Sequence, residues 1–177
     1  MPSAHRASSA AAPAGDGPPS AAGDGPPPVP VPIIDALPPG PRARLAARIV
    51  RREIEPGTTF MHEGDVTSSL AIIVRGRVAL RLRVPERGPV TILTLEAGDI
   101  VGWSAIVAPY RATTSATALE PTELATLDAV DLRELLASDT EVAARFLPPV
   151  MESVAARVAA TRDQLLDLFR GAGVDAW

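Results

Sequence analysis

The sequence contains no cysteine, and only 3% of its 177 residues are aromatic. The absence of cysteine excludes a disulfide framework, a thiolate nucleophile and a cysteine-ligated zinc site. The two histidines are His5, in a low-complexity stretch, and His62, so we expect no histidine-rich metal site. No apolar run approaches the length of a transmembrane helix, and the N-terminus lacks the apolar core of a secretory signal. These absences predict a cytoplasmic protein without a membrane span or a bound metal.

Charge and apolar content set further limits on function. The formal net charge is −4, which does not favour binding to a phosphate backbone, so we expect no direct DNA binding. Hydrophobic residues make up 46% of the chain, and because aromatics are few, the core must consist of Val, Leu, Ile and Ala. The pair His62–Glu63 lacks the further histidines of a metal or acid–base site. The sequence therefore predicts a protein that is not an enzyme.

Composition divides the chain into three parts. Residues 1–32 are almost entirely Pro, Ala, Gly and Ser, with an imperfect repeat at Ala14–Pro19 and Ala22–Pro27. Such a segment has too little apolar surface to offset the entropy of ordering, which predicts a disordered tail. A flexible tail and a docking segment both stay open. Residues 33–138 are predicted to form a β-domain with flanking helices, and residues 139–177 a C-terminal helical segment.

The central part reads as a series of short strands separated by glycine-bearing turns. A helix is predicted from Pro41 to Ile49, and the alternation at Val78–Val84 is typical of a half-buried strand. The predicted strands are 50–54, 58–62, 70–74, 78–84, 90–95, 114–118 and 123–127. This pattern predicts a mainly β fold with flanking α, either a sandwich or a roll of the double-stranded jelly-roll type, with a long C-terminal helix.

The C-terminal third has helical periodicity. A short helix is predicted at Val130–Leu136, and a second from Glu141 that is interrupted at Pro148–Pro149 and restarts. After the prolines, apolar positions alternate at spacings of three and four, as in a coiled-coil seam. The seam consists of Met151, Val154, Val158, Thr161, Leu165 and Leu168. It either packs against the chain's own roll or pairs with a second subunit.

One stretch is more specific than the rest. It runs Gly98-Asp99-Ile100-Val101-Gly102-Trp103-Ser104-Ala105-Ile106 and is closed by Pro109-Tyr110-Arg111. Together with the glycine-punctuated strands and the long helix, it resembles the cyclic-nucleotide-binding domain over about residues 40–170. This domain is the β-roll sensor module of the catabolite-activator and Fnr family and of cAMP-dependent kinase regulatory subunits. The resemblance implies a regulatory protein, a homodimer formed through the helix and a cyclic nucleotide as candidate ligand.

The resemblance also implies a phosphate-binding cassette, usually Gly-Glu-x-Ala-Leu followed a few residues later by Arg-x-Ala. Gly102, Ala105 and Ile106 match this pattern, but Trp103 stands where the ribose-binding Glu belongs. Arg111 comes one residue early, because the usual arginine position falls on Ala112. Since strand side chains alternate between faces, this slip directs Arg111 away from the ligand unless a shortened loop compensates. The implied ligand-binding residues are Gly102, Trp103, Ser104, Ala105, Arg111, Ala112, Thr113 and Thr161.

Two functions stay open. One is a stand-alone sensor, since only residues 171–177 follow the predicted helix, too few for a helix-turn-helix. The other is a degenerate domain that binds no ligand and serves as a dimeric scaffold for a protein partner. An Arg111 directed into a cavity near the Gly102 amide favours the sensor, and an outward one favours the scaffold. Trp103 either packs or forms an aromatic wall, Ser104 is expected to cap the cassette helix, and Thr161 contacts ligand or its own helix backbone.

Overall fold

The described residues, 30–171 of a computed structural model, form two four-stranded antiparallel sheets flanked by helices. One sheet has the strand order β1-β8-β3-β6 and the other β2-β7-β4-β5. The strands are β1 (Val50–Ile54), β2 (Thr59–Met61), β3 (Ser69–Arg75), β4 (Val78–Val84), β5 (Gly88–Leu95), β6 (Ile100–Val101), β7 (Ser115–Ala118) and β8 (Thr122–Asp128). This is the predicted β-roll, and the bounds of β4 agree with the prediction residue for residue.

Two clusters of buried side chains lie on opposite faces of the first sheet. On β3, Ala71 and Ile73 pack between the two sheets, whereas Leu70 and Ile72 pack against the helices. Since both faces of β3 are covered, its sequence is a continuous apolar run rather than an alternating one. The sheet that carries the helices therefore also forms one wall of the roll.

The short strand β6 was not predicted from the sequence. It pairs with β3 through Ala71–Val101 and Ile72–Ile100. Two residues carry no detectable period, so only the pairing with β3 defines this strand. Its position fixes where the segment beginning at Gly102 leaves the sheet.

The helices are α1 (Pro32–Asp35), α2 (Pro39–Ala46), α3 (Ala129–Ser138) and α4 (Thr140–Gly171). Helix α2 starts and ends earlier than predicted, and Arg44 on α2 forms an ion pair with Asp139 at 2.7 Å. Ordered structure also starts earlier than the predicted boundary, because Val31 is buried. The rest of the predicted tail, residues 1–29, lies outside the described residues.

Helix α4 continues through Pro148 and Pro149, so the predicted interruption is wrong. Each proline removes one helical amide hydrogen bond and usually kinks or breaks a helix. Phe146 and Val150, on either side of the prolines, are almost completely buried in the core beneath the first sheet. Tertiary packing of these side chains supports helical structure where the local sequence opposes it.

The proposed seam on α4 begins where this buried stripe ends. Met151 is 58% exposed and Val158 65% exposed, Thr161 is also exposed, and Val154 is half-buried. The side chains of Leu165 and Leu168 lie outside the described residues. Within residues 30–171, no helix combines the length and the apolarity needed to cross a membrane.

Candidate functional site

The cassette, which we define as residues 102–112, begins with a glycine that no other residue replaces without strain. Gly102 has φ +75°, and a Cβ atom there would lie 2.7 Å from the carbonyl oxygen of Ser69. A single 3₁₀ turn, Trp103–Ala105, follows, closed by a 2.9 Å hydrogen bond from the Ala105 amide to the Gly102 carbonyl. The cassette helix is therefore one short turn held tightly against β3.

Ser104 does not cap this turn, contrary to the prediction. The N-cap position is Gly102, and Ser104 lies within the turn. The buried Ser104 hydroxyl forms a 2.8 Å hydrogen bond with the Thr67 hydroxyl. This bond fastens the cassette to the loop before β3.

The end of the cassette directs Arg111 toward the loop that connects β2 and β3. The chain passes a cis Ala108–Pro109 bond and Tyr110, whose φ is +59°. Arg111 is exposed, and its Nη1 donates a 2.8 Å hydrogen bond to the carbonyl of Gly64. The next residue, Ala112, is buried and its amide donates to the Asp65 carbonyl at 2.9 Å. The one-residue slip is thus not compensated by the loop.

A cavity of about 340 Å³ lies between the roll, the cassette and α4. We call it the Trp103 cavity. Its wall combines an apolar majority with three threonines and two arginines. It is lined by Leu80, Ile92, Leu93, Trp103, Thr113, Thr114, Val154, Arg157, Val158, Thr161 and Arg162.

The Trp103 cavity brings together only three of the residues implied by the resemblance. Trp103, Thr113 and Thr161 line it, whereas Gly102, Ser104, Ala105, Arg111 and Ala112 do not. Trp103 is half-buried and forms part of the wall. The Thr161 hydroxyl donates a 2.9 Å hydrogen bond to the Arg157 carbonyl, which satisfies it within its own helix.

Two arginines that the sequence analysis did not single out tether the cassette region to the helices. Arg133 on α3 donates a 2.7 Å hydrogen bond to the Ala105 carbonyl and lies 4.5 Å from the centre of the Tyr110 ring. Arg157 on α4 donates to the carbonyl of Ile100, just before the cassette. On the sequence they look like solvent-facing residues of amphipathic helices, and only the packing places them at the site.

The environment of Arg157 is unusual for a charged side chain. Desolvation lowers the pKa of the Arg157 guanidinium, and the negative charge of Asp99 acts in the opposite direction. Its Nε is buried and has no hydrogen-bond partner among the described residues. Arg157 therefore supplies a poorly compensated positive charge beside the Trp103 cavity.

The carboxylates of Asp99 and Glu63 each accept a hydrogen bond from a backbone amide. The Asp99 carboxylate accepts a 2.8 Å hydrogen bond from the Glu96 amide. Glu63 accepts from the Arg83 amide at 2.9 Å, so it supports the β4 region rather than acting with His62. In the part of the chain that the structure describes, no three His, Asp or Glu side chains gather as a metal site.

The chain is similar to known proteins both in sequence and in fold. The sequence profile described as the cyclic nucleotide-binding domain matches residues 51–139. A cyclic nucleotide-binding domain from Methylobacillus flagellatus superposes with a TM-score of 0.69 at 22% identity, covering 77% of this chain and 80% of that one. The N-terminal domain of a transcriptional regulator from Streptomyces coelicolor gives a TM-score of 0.57 at 26% identity, covering 82% and 92%.

A curated relative is much longer than this chain. A protein of Rhodopseudomonas palustris named "putative potassium channel protein" is 26% identical over 113 residues, which is 64% of this chain and 27% of the relative. The chain thus spans about a quarter of the length of that relative. The similarity therefore covers one segment of that relative and not the whole protein.

Proposed function

The chain belongs to the cyclic nucleotide-binding domain family, and on this basis we propose that it is a non-enzymatic, ligand-responsive regulatory domain. The observation that carries the proposal is the position of the Trp103 cavity. One side of it is formed by the roll and the cassette and the other by α4. A ligand in this cavity contacts both bodies, so its binding energy depends on where α4 lies.

The two arginine tethers support coupling between the cassette and the helices. Arg133 on α3 donates to the Ala105 carbonyl, at the end of the 3₁₀ turn, and Arg157 on α4 donates to the Ile100 carbonyl on β6, just before the cassette. A shift of the cassette relative to α3 must stretch or break the Arg133 bond, and a shift that carries β6 with it must do the same to the Arg157 bond. A ligand that moves the cassette therefore changes the equilibrium position of α3 and α4.

We further propose that the domain is a homodimer formed through α4. Met151 and Val158 are large apolar side chains that the described residues leave mostly exposed. A second copy of the same helix would bury both, as in the predicted coiled-coil seam. The response to ligand would then be a change in the relative positions of the two subunits.

Spin-label distances test the regulatory proposal. The chain contains no cysteine, so two introduced cysteines would be its only labelling sites. We choose Glu53→Cys on β1 and Ala159→Cys on α4, both at exposed positions, in protein diluted with unlabelled chains. Pulsed electron resonance is expected to show two distances, whose proportions change when cAMP, cGMP or an aromatic carboxylate such as 1-naphthylacetate binds.

A label pair confined to the roll provides the control. Glu53→Cys with Thr91→Cys on β5, also exposed, should give one distance that no added compound changes. A single α4 distance that stays constant while a compound is shown to bind would refute the regulatory proposal.

The direction of Arg111 favours a second candidate function. An exposed Arg111 bonded to the Gly64 carbonyl does not reach the Trp103 cavity, so the usual phosphate contact is not made. This supports a domain that has lost ligand binding and acts as a dimeric scaffold for a protein partner. A folded dimer that shows no binding heat with any of these compounds, and one fixed α4 distance, would favour this scaffold.

A further inference from the structure

We propose that the Trp103 cavity binds an aromatic monocarboxylate rather than a cyclic nucleotide. This inference rests on the proposed function, because it names the ligand class of the same site. It follows from three features of the cavity: its apolar wall, the charge of its lining and the position of Arg111.

The wall matches the body of an apolar, planar molecule. Leu80, Ile92, Leu93, Val154 and Val158 line the cavity together with the indole of Trp103. An aromatic ring against an indole gains offset or edge-to-face contact beyond the burial of its area. The volume of about 340 Å³ lies at the lower end of the range of small-molecule pockets.

A cyclic nucleotide would leave polar groups without partners in this cavity. Its phosphate would lose the contact with Arg111, which bonds the Gly64 carbonyl outside the cavity, and would have to share Arg157 with the Ile100 carbonyl. Its ribose hydroxyl would face Trp103, whose indole has no hydrogen-bond acceptor. Burying a phosphate or a hydroxyl without its hydrogen-bond partners is unfavourable. Trp103 and the displaced Arg111 therefore both weaken the binding of a cyclic nucleotide.

The polar groups that line the cavity favour an anion with few polar atoms. The charged lining residues are Arg157 and Arg162, and no acidic residue lines the cavity within the described chain. Arg162 lies at the exposed side, 3.3 Å from Asp163, whereas Arg157 is largely shielded from solvent. Arg157 donates to the neutral carbonyl of Ile100 and forms no ion pair with an acidic side chain among the described residues.

A ligand carboxylate would supply the missing counter-charge to Arg157. Thr113 and Thr114 line the same cavity, and a threonine hydroxyl can donate a hydrogen bond to a carboxylate. A single carboxylate on an aromatic body therefore satisfies the arginine and fills the apolar wall at once. It needs neither the displaced Arg111 nor an acceptor at position 103.

Calorimetric titration of the full chain tests this assignment with matched probes. The probes are 1-naphthylacetate, its neutral amide 1-naphthylacetamide, the aliphatic acid octanoate, and cAMP and cGMP. We expect 1-naphthylacetate to bind most tightly, and the amide about tenfold to a hundredfold more weakly because it lacks the charge. Octanoate should bind more weakly than 1-naphthylacetate, since it cannot stack on Trp103.

Substitutions locate the binding site. Arg157→Gln should weaken 1-naphthylacetate by at least about tenfold, with Arg157→Lys in between, because lysine keeps the charge but not the fork of donors. Trp103→Leu should lower the preference for the aromatic acid over octanoate. Arg111→Gln is the matched control, an exposed arginine outside the cavity, and should leave the affinity unchanged. Thermal melting of each variant verifies that the fold is retained.

Several results would overturn the assignment. They are no binding heat with 1-naphthylacetate, tighter binding of cAMP or cGMP, or unchanged affinity in Arg157→Gln and Arg157→Lys with native melting temperatures. Failure of the regulatory proposal looks different. A carboxylate that binds without changing the α4 distance would refute that proposal alone, whereas a cyclic nucleotide that binds and changes the distance would refute the ligand class alone.

Discussion

The close fit of Gly102 against β3 predicts an unequal effect of alanine at two glycines. Gly102 and Gly98 both have positive φ, +75° and +95°. A Cβ atom at Gly102 would lie 2.7 Å from the Ser69 carbonyl oxygen and 3.3 Å from the Thr67 Cγ2, whereas one at Gly98 would meet nothing within 4 Å. The pair therefore separates backbone strain from steric overlap.

The magnitudes follow from these two contributions. A left-handed conformation costs a non-glycine residue about 1–2 kcal/mol, which is the expected loss of unfolding free energy in Gly98→Ala. Overlap in a packed interior adds about 1–3 kcal/mol, so Gly102→Ala should lose about 2–5 kcal/mol in total. The backbone carbonyl of Ser69 cannot move aside as a flexible side chain can.

Urea denaturation followed by circular dichroism measures both variants. We expect the midpoint to fall in each, further for Gly102→Ala, with the slope unchanged, since the same surface is exposed on unfolding. Equal losses in the two variants would contradict the argument, because the contact with Ser69 would then have no energetic effect. A native-like Gly102→Ala would contradict it as well.

Two further predictions concern the helices. Asp128 caps α3 by accepting hydrogen bonds from the amides of Val130 at 2.8 Å and Asp131 at 3.1 Å; Asp128→Ala should lose about 0.5–2 kcal/mol of unfolding free energy. Urea denaturation checks this, and an Asp128→Asn control that falls as far as alanine would argue against capping. On α4, Met151→Glu should shift a dimer toward monomer in light scattering, because it places charge on the proposed interface; a native protein already monomeric at working concentration would refute the dimer.

Much of the fold was predictable because local patterns and tertiary structure agree. The alternation in Val78–Val84 fixed β4, and the glycine-bearing turns fixed the number and order of most strands. Where pattern and packing disagree, the prediction failed. The double proline predicted a break in α4, but burial of Phe146 and Val150 overrides it.

Part of the candidate site was also predictable from the sequence, and part depended on tertiary packing. The cassette was located through the family resemblance, because Gly102, Ala105 and Ile106 match the usual cassette pattern. The resemblance also showed that Arg111 is displaced by one residue. It left the direction of that arginine open, since this depends on how the loop meets the segment before β3. The bonds of Ala112 to Asp65 and of Arg111 to Gly64 decide it.

The sequence, together with its resemblance to a known domain, thus determined the β-roll, the cassette and the loss of the usual residue at position 103, because the strand pattern and the cassette motif are both local in the chain. Only the tertiary structure decided which charges reach the Trp103 cavity. Arg157 lies on a helix far along the chain from the cassette, and Arg111 lies within the cassette, yet the first lines the cavity and the second does not. The physical reason is that side-chain direction at a site follows from the packing of distant elements, which no local period encodes.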